Sequence, residues 1–367
     1  MSTRHPLLIH GWGAVTPIGL DSRQTCAAIR AGVSRFEPVY QRLPLDEPRL
    51  GARIPAALGL QLTKLDWLAN MGARALGECL AAESGTDPTT LLLCLPDEAR
   101  WRGEFEEVDA DELLASISDR VGLTRSPRSC WFEGGPAALG VALLRARELL
   151  DAGGTERVAI GGVDSLLGIV EIDRLHAFER IHGDTQPHGM YPAEGASFLL
   201  LGRAGGSIRA PVRGRILGVG LGSEPDTTLG PKHSSGEGLH QAVQAAVRDA
   251  NAHEHNVAFI CTNANGERYY DWELTHAHLR VYRTRRNKLP TVFAQAETGD
   301  LGAASGPLAL ILAANDMTLG DAPGHRCMVE LGSEGSLRAA CLLDPGTLES
   351  IATPGRQALA QLNPKPE

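Results

Sequence analysis

The sequence predicts an α/β fold with an internal duplication. Apolar runs of strand length alternate with longer segments of helical periodicity. The order βα, βα, then paired strands occurs twice, on either side of a Gly-rich stretch at 202–212 (GRAGGSIRAPV). At 367 residues the chain exceeds the ~100–200 of one ordinary domain and suits two fused halves. We expect halves at 1–205 and 206–345, followed by a frayed tail at 346–367 carrying Pro354, Pro364 and Pro366. With 42 glycines and only 5% aromatics, the core should be small and aliphatic, with helices packed closely on strands.

Pro6 to Val15 reads as a strand entering a turn at Thr16–Gly19, and Ser22 as the cap of a helix that Gly32 stops. Residues 60–83 carry a helical pattern through Leu65, Leu68, Met71, Ala75 and Leu80. Leu91–Leu95 is a buried strand, and 96–129 reads as helical excursions at the surface. GGPAALGVALLRARELL (134–150) is a helix with a small, apolar first half. RVAIGG (157–162) is a strand ending on two glycines, and ASFLLL (196–201) closes the first half. The second half offers strands at 215–221 and 258–261, helices at 238–250 and 303–314, and two last strands at 327–331 and 337–343.

Composition excludes several functions. A net charge of -9 argues against a nucleic-acid binder. The densest basic run, Arg280, Arg283, Arg285, Arg286 and Lys288, reads as a solvated face or as a dock for an acidic partner such as a carrier protein. Seven cysteines show no CxxC pair or metal-ligand spacing, and several sit in apolar runs as small hydrophobes. No stretch reaches the ~18 apolar residues of a membrane span. The N-terminus lacks the apolar core of a signal peptide, so a cytoplasmic protein is expected.

Five segments carry a family resemblance, in the family's order. They are GWGAVTPIGLDSRQTCAAIRAGVSRFEP (11–38), RVAIGGVDSLL (157–167), YPAEGASFLLL (191–201), SSGEGLHQAVQAAV (234–247) and ETGDLGAASGPLALILA (297–313). In these the chain resembles the β-ketoacyl-[acyl carrier protein] synthases of the thiolase fold. The resemblance implies duplicated βαβαβαββ halves in five α-β-α-β-α layers, a homodimer or pseudo-symmetric heterodimer, and no cofactor.

Family members need a Cys thiolate at a helix N-terminus to hold an acyl thioester, since unpaired N–H groups there stabilise the anion. Two neutral His side chains stabilise the enolate of decarboxylation, with a Lys alongside. Carried over through the flanking glycines, the nucleophile's place falls on Phe132 in WFEGGPAALG. The first His position falls on Asn265 in ANGERY, and the second on Asp300 in GDLGA. The Lys position falls on Gln295, and the swinging Phe of the C-terminal loop on Ser333 in GSEGSL. A benzyl group forms no thioester, and a carboxylate repels a developing enolate. The resemblance therefore implies a pseudoenzyme.

Cys130, two residues before Phe132, is the one candidate for a relocated nucleophile. A two-residue shift along a strand moves its sulfur ~6–7 Å from the helix terminus, which favours a structural thiol. His182, His188, His233, His276 and His278 read as loop histidines. Tyr269, Tyr270 and Trp272 are either core filling or, with Arg283, Arg285 and Arg286, a partner-contact patch. Two functions follow. One is a non-catalytic partner of an active ketosynthase, similar to a chain-length factor. The other is an adaptor or scaffold, for instance one that loads secreted cargo.

Overall fold

The structure, a computed structural model, describes residues 5–40, 48–55, 63–83 and 88–346. The first half runs β1 (Leu7–Val15), α1 (Ser22–Arg30), β2 (Glu37–Tyr40), β3 (Arg49–Gly51), α2 (Lys64–Leu80), β4 (Thr90–Cys94), α3 (Glu98–Glu104), α4 (Ala110–Val121), β5 (Cys130–Phe132), α5 (Ala138–Asp151), β6 (Val158–Ser165), α6 (Ile169–Ala177) and β7 (Glu194–Gly202). The second runs β8 (Gly214–Ser223), α7 (Glu237–Asp249), β9 (Phe259–Thr262), α8 (Arg268–Val281), β10 (Thr291–Phe293), α9 (Ser305–Leu319), β11 (Cys327–Gly332) and β12 (Leu337–Pro345). All but the first residue of the expected tail lies outside the described residues.

The duplication is visible in the pairing. The strands follow the order β10-β9-β11-β12-β8-β1-β7-β6-β4-β5, and β2 and β3 form a separate ribbon. Reading outward from the β1–β8 seam, each half shows the same sequence of joins. The first two are antiparallel (β1–β7–β6 and β8–β12–β11) and the next two parallel (β6–β4–β5 and β11–β9–β10). The seam is short, pairing Leu7–Ile9 with Gly214–Ile216.

Five layers follow from which faces are apolar. α5 and α9 lie between the half-sheets in the central core. α9 is buried on every side along Ser305–Ala314, the pattern of a helix with no solvent face. α2 and α4 cover the outer face of the first half-sheet, and α7 and α8 that of the second. α7 buries Leu239, Ala242, Val243 and Ala246, one stripe at helical spacing. Glycines set the helix-on-strand distance. A Cβ at Gly13 of β1 would collide with the α2 backbone, and one at Gly220 of β8 with the α7 backbone.

Several expected boundaries shift. Asp21, not Ser22, caps α1, its carboxylate accepting from Gln24 N at 2.8 Å. The segment 96–129 is not a surface excursion throughout, because α4 buries Leu113, Leu114 and Ile117. The helix expected from Gly134 starts at Ala138. Gly134 and Gly135 take φ of +126° and +57°, and a 3-10 turn at Gly135–Ala137 precedes the helix. An equivalent turn at Gly302–Ala304 leads into α9. The two turns abut, and a Cβ at Gly306 would strike the carbonyl of Pro136.

Candidate functional site

Asn265 follows β9 in a loop whose Gly266 has a φ of +94°. Asp300 precedes the Gly302–Ala304 turn and is pinned by the segment entering β7. Its N–H donates to the Tyr191 carbonyl at 2.8 Å, and its carbonyl accepts from Ala193 N at 3.0 Å. The two side chains meet: Asn265 Nδ2 donates to Asp300 Oδ2 at 2.8 Å and to Glu267 Oε2 at 2.9 Å. Asn265 Oδ1 accepts from Glu267 N at 3.1 Å. Asp300 Oδ1 accepts from Gly302 N at 2.8 Å and from Gln295 Nε2 at 3.3 Å. Burial pushes the Asp300 carboxyl up to about 6, against the pull of these donors.

Gln295 is buried, and its Nε2 also donates to Ser305 Oγ at 2.5 Å, tying the loop to the start of α9. Phe132 ends β5 beside Cys94 of β4, and its carbonyl accepts from Leu95 N at 2.9 Å. Its ring is half-buried against the central core rather than fully buried at the head of α5. Ser333 is fully buried and latches the Gly135–Ala137 turn. Its hydroxyl donates to the Gly134 carbonyl and accepts from Ala137 N at 3.1 Å.

A chain of ion pairs, unforeseen in the sequence, runs through this region. Glu267 takes both arms of Arg180, Nε and Nη2 each at 2.7 Å. Arg180 Nη1 also binds Glu334, which Arg174 Nη2 holds at 2.9 Å. Arg174 reaches Glu171 at 2.8 Å, and Arg100 Nε lies 3.2 Å from a Glu171 carboxylate oxygen. Arg100 Nη1 donates to Asp164 Oδ2 at 2.8 Å, and Asp164 receives Ala303 N at 2.9 Å. The arginines hold Glu334 down at about 2, well below the usual carboxylate range. Two cues to this network were in the sequence: Glu267 and Glu334 are charged residues inside Gly-containing loops that the resemblance had already located.

The loop 332–337 is tied as firmly. Arg338, with no exposed surface, donates through Nη1 to the carbonyls of Ser333, Gly335 and Leu337 at 3.0, 2.7 and 2.8 Å. Its Nε pairs with Glu273 at 2.8 Å. Asn263 holds Gly332 by both backbone groups, at 2.9 and 2.8 Å.

Other expected sites come apart. Tyr269, Tyr270 and Trp272 lie on α8 rather than in a loop. Tyr270 is buried in the outer core, Tyr269 receives Arg338 Nη2 at 2.8 Å, and only Trp272 is exposed. Arg283, Arg285 and Arg286 follow the C-terminal end of α8, which lies ~14–18 Å along its axis from the three aromatic residues. Arg286 is paired with Glu254. His276 and His278 are helical, and His278 Nε2 lies 2.7 Å from Glu330. Cys130 is half-buried, and burial raises its thiol pKa, the opposite of thiolate activation. Among the described residues no group of three or more His, Cys, Asp or Glu side chains is disposed to hold a metal ion. No described helix is long and apolar enough to cross a membrane.

Comparisons with known proteins agree on the fold. No curated protein matches the chain by sequence. Among solved structures, a chain of AntDE:AntF, a type II polyketide synthase acyl-carrier protein in complex with its ketosynthase, superposes with a TM-score of 0.77. It shares 14% identity, and the match covers 93% of this chain and 100% of that one. The ishigamide ketosynthase/chain length factor gives 0.70 at 17% identity, covering 93% and 100%. The ketosynthase ApeO with its chain length factor ApeC, from Xenorhabdus doucetiae, gives 0.72 at 14% identity, covering 94% and 99%. Residues 213–326 match the family described as beta-ketoacyl synthase, C-terminal domain. The chain has the thiolase-like fold of these ketosynthases, and its residues 213–326 are similar to the C-terminal domain of the beta-ketoacyl synthases.

Proposed function

We propose that this chain is a non-catalytic ketosynthase-like protein that acts through contact with another protein, as a partner or scaffold subunit. One observation carries the reading. Asn265 and Asp300, which the resemblance sets at the two imidazole positions, are hydrogen-bonded to each other and, through Glu267, to the ion-pair chain. Stabilising an enolate needs donors free to point at it. Both N–H groups of Asn265 are engaged by carboxylates, and an ionised Asp300 adds charge of the wrong sign. Phe132 offers no nucleophile, and Cys130 has the pKa shift of a structural thiol.

The partner role draws on the similar structures, two of which are ketosynthases with chain length factors and one a ketosynthase with its carrier protein. β5 is an edge strand, and its Trp131 is exposed, as an edge available for pairing would be. Pairing with an active ketosynthase is therefore our first reading, ahead of cargo loading.

The test is acylation. Purified chain incubated with labelled acyl and malonyl thioesters should show no mass increase and release no carbon dioxide, while an active ketosynthase does both. Covalent acylation would overturn the proposal. Affinity capture from the native cell should return a ketosynthase; return of secreted cargo instead would favour the adaptor reading.

A further inference from the structure

We propose that the cleft between α1 and the end of α9 binds a small phosphate-bearing ligand, held by Arg213 and Arg23. The cleft has a volume of about 600 Å³ and lies away from the site above. α9 starts at that site, and Asn315 and Leu319 reach the cleft ~15–21 Å further along its axis. Arg23, Ala27 and Arg30 of α1 face it at helical spacing, and Arg213 closes it from the segment leading into β8.

The case rests on which charges in the lining are already satisfied. Asp21 accepts from Gln24 N at 2.8 Å and Gln24 Nε2 at 2.7 Å, and Gln24 Oε1 in turn accepts from Leu20 N at 3.1 Å. Arg30 is held by Asp316 at 2.9 Å and Asp321 at 3.5 Å. Glu78, the acid whose field reaches Arg213, is taken up by Ala14 N and by the N–H and hydroxyl of Ser22. Every carboxylate at the cleft therefore has its donors. Arg213 and Arg23 have no carboxylate partner among the described residues.

Arg213 is also positioned. Its guanidinium lies 3.7 Å over the ring of the buried Trp12, which fixes its plane and leaves its N–H edge unoccupied. Partial burial lowers its pKa, with the charge of Glu78 pulling the other way. A preset guanidinium fork with a second arginine beside it matches a tetrahedral oxyanion better than a single carboxylate. Ala27 and Leu319 supply an apolar wall for the carbon part of a phosphate ester.

The probes are inorganic phosphate and glycerol 3-phosphate, read by thermal unfolding and calorimetric titration against chloride at matched ionic strength. Both should raise Tm in a saturable way. Tighter binding of the ester would identify an organic phosphate as the natural class, and equal binding would identify free phosphate. Arg213→Gln and Arg23→Gln should each weaken binding by roughly tenfold, the value of one charge-assisted contact. Arg285→Gln, at an exposed arginine outside the cleft lining, should leave it unchanged. Arg23→Gln keeps the test valid if loss of the Trp12 stack unfolds the Arg213 variant. Stabilisation no greater than chloride gives, or equal phosphate binding by the Arg23→Gln and parent proteins, would overturn the assignment.

Discussion

Arg180 is the joint through which the first half of the chain grips both loops of the candidate site, so Arg180→Ala is the most informative perturbation. The guanidinium is 7% exposed, with Glu267 on two of its nitrogens at 2.7 Å and Glu334 on the third. Truncating it leaves two carboxylates without this cation. Glu334 retains Arg174 at 2.9 Å, whereas Glu267 keeps only the neutral amide of Asn265. Breaking a buried pair on one side costs about 3–5 kcal/mol, and the burden here falls on Glu267, so we expect a loss of about 4 kcal/mol. With a urea slope near 3 kcal/mol/M, the unfolding midpoint should fall by more than about 1 M. Arg180→Met combined with Glu267→Gln removes both charges and should recover at least half of that loss, because an apolar or neutral replacement of a whole pair is far less costly than an orphaned charge. A single variant within about 1 kcal/mol of the parent would refute the argument, since the network would then behave as exposed ion pairs do.

Four further outcomes follow from the same geometry. Stability should peak in mildly acidic solution. Glu334, depressed to about 2, contributes stability that is present above pH 4.5 and lost as pH falls through 2. Asp300, raised to about 6, contributes stability that is present below pH 3.8 and lost as pH rises through 6, and urea midpoints across pH for Asp300→Asn should show that alkaline decline removed. Phe132→Cys alone should release no carbon dioxide from a malonyl thioester, as read with labelled substrate, because Asn265 and Asp300 remain engaged with each other. Amides of Gly332 and Gly335, which donate to Asn263 and Asp97, should exchange slowly with deuterium in a loop whose carbonyls Arg338 ties down; fast exchange would mean that the loop swings. Cys130 should react with iodoacetamide no faster than a free thiol of ordinary pKa, which tests its structural role directly.

What the sequence determined by itself was the architecture. Strand-length apolar runs, helical stripes such as Leu239–Val243–Ala246 and the ordered Gly motifs are local properties, and local backbone sterics and burial convert them into elements without reference to partners far along the chain. The family resemblance pointed to Asn265 and Asp300, each beside a glycine that takes positive φ, Gly266 and Gly299, where the chain turns. What only the tertiary structure decided was how those side chains are engaged. Arg180 and Glu267 are 87 residues apart, and Arg180 and Glu334 are 154 apart. Charges are common at exposed positions in any sequence, and one becomes a structural element only when folding removes its water and presents an opposite charge in exchange. The same holds for α8, whose aromatic residues look like one cluster in the sequence but divide between core and surface, Tyr270 being buried and Trp272 exposed.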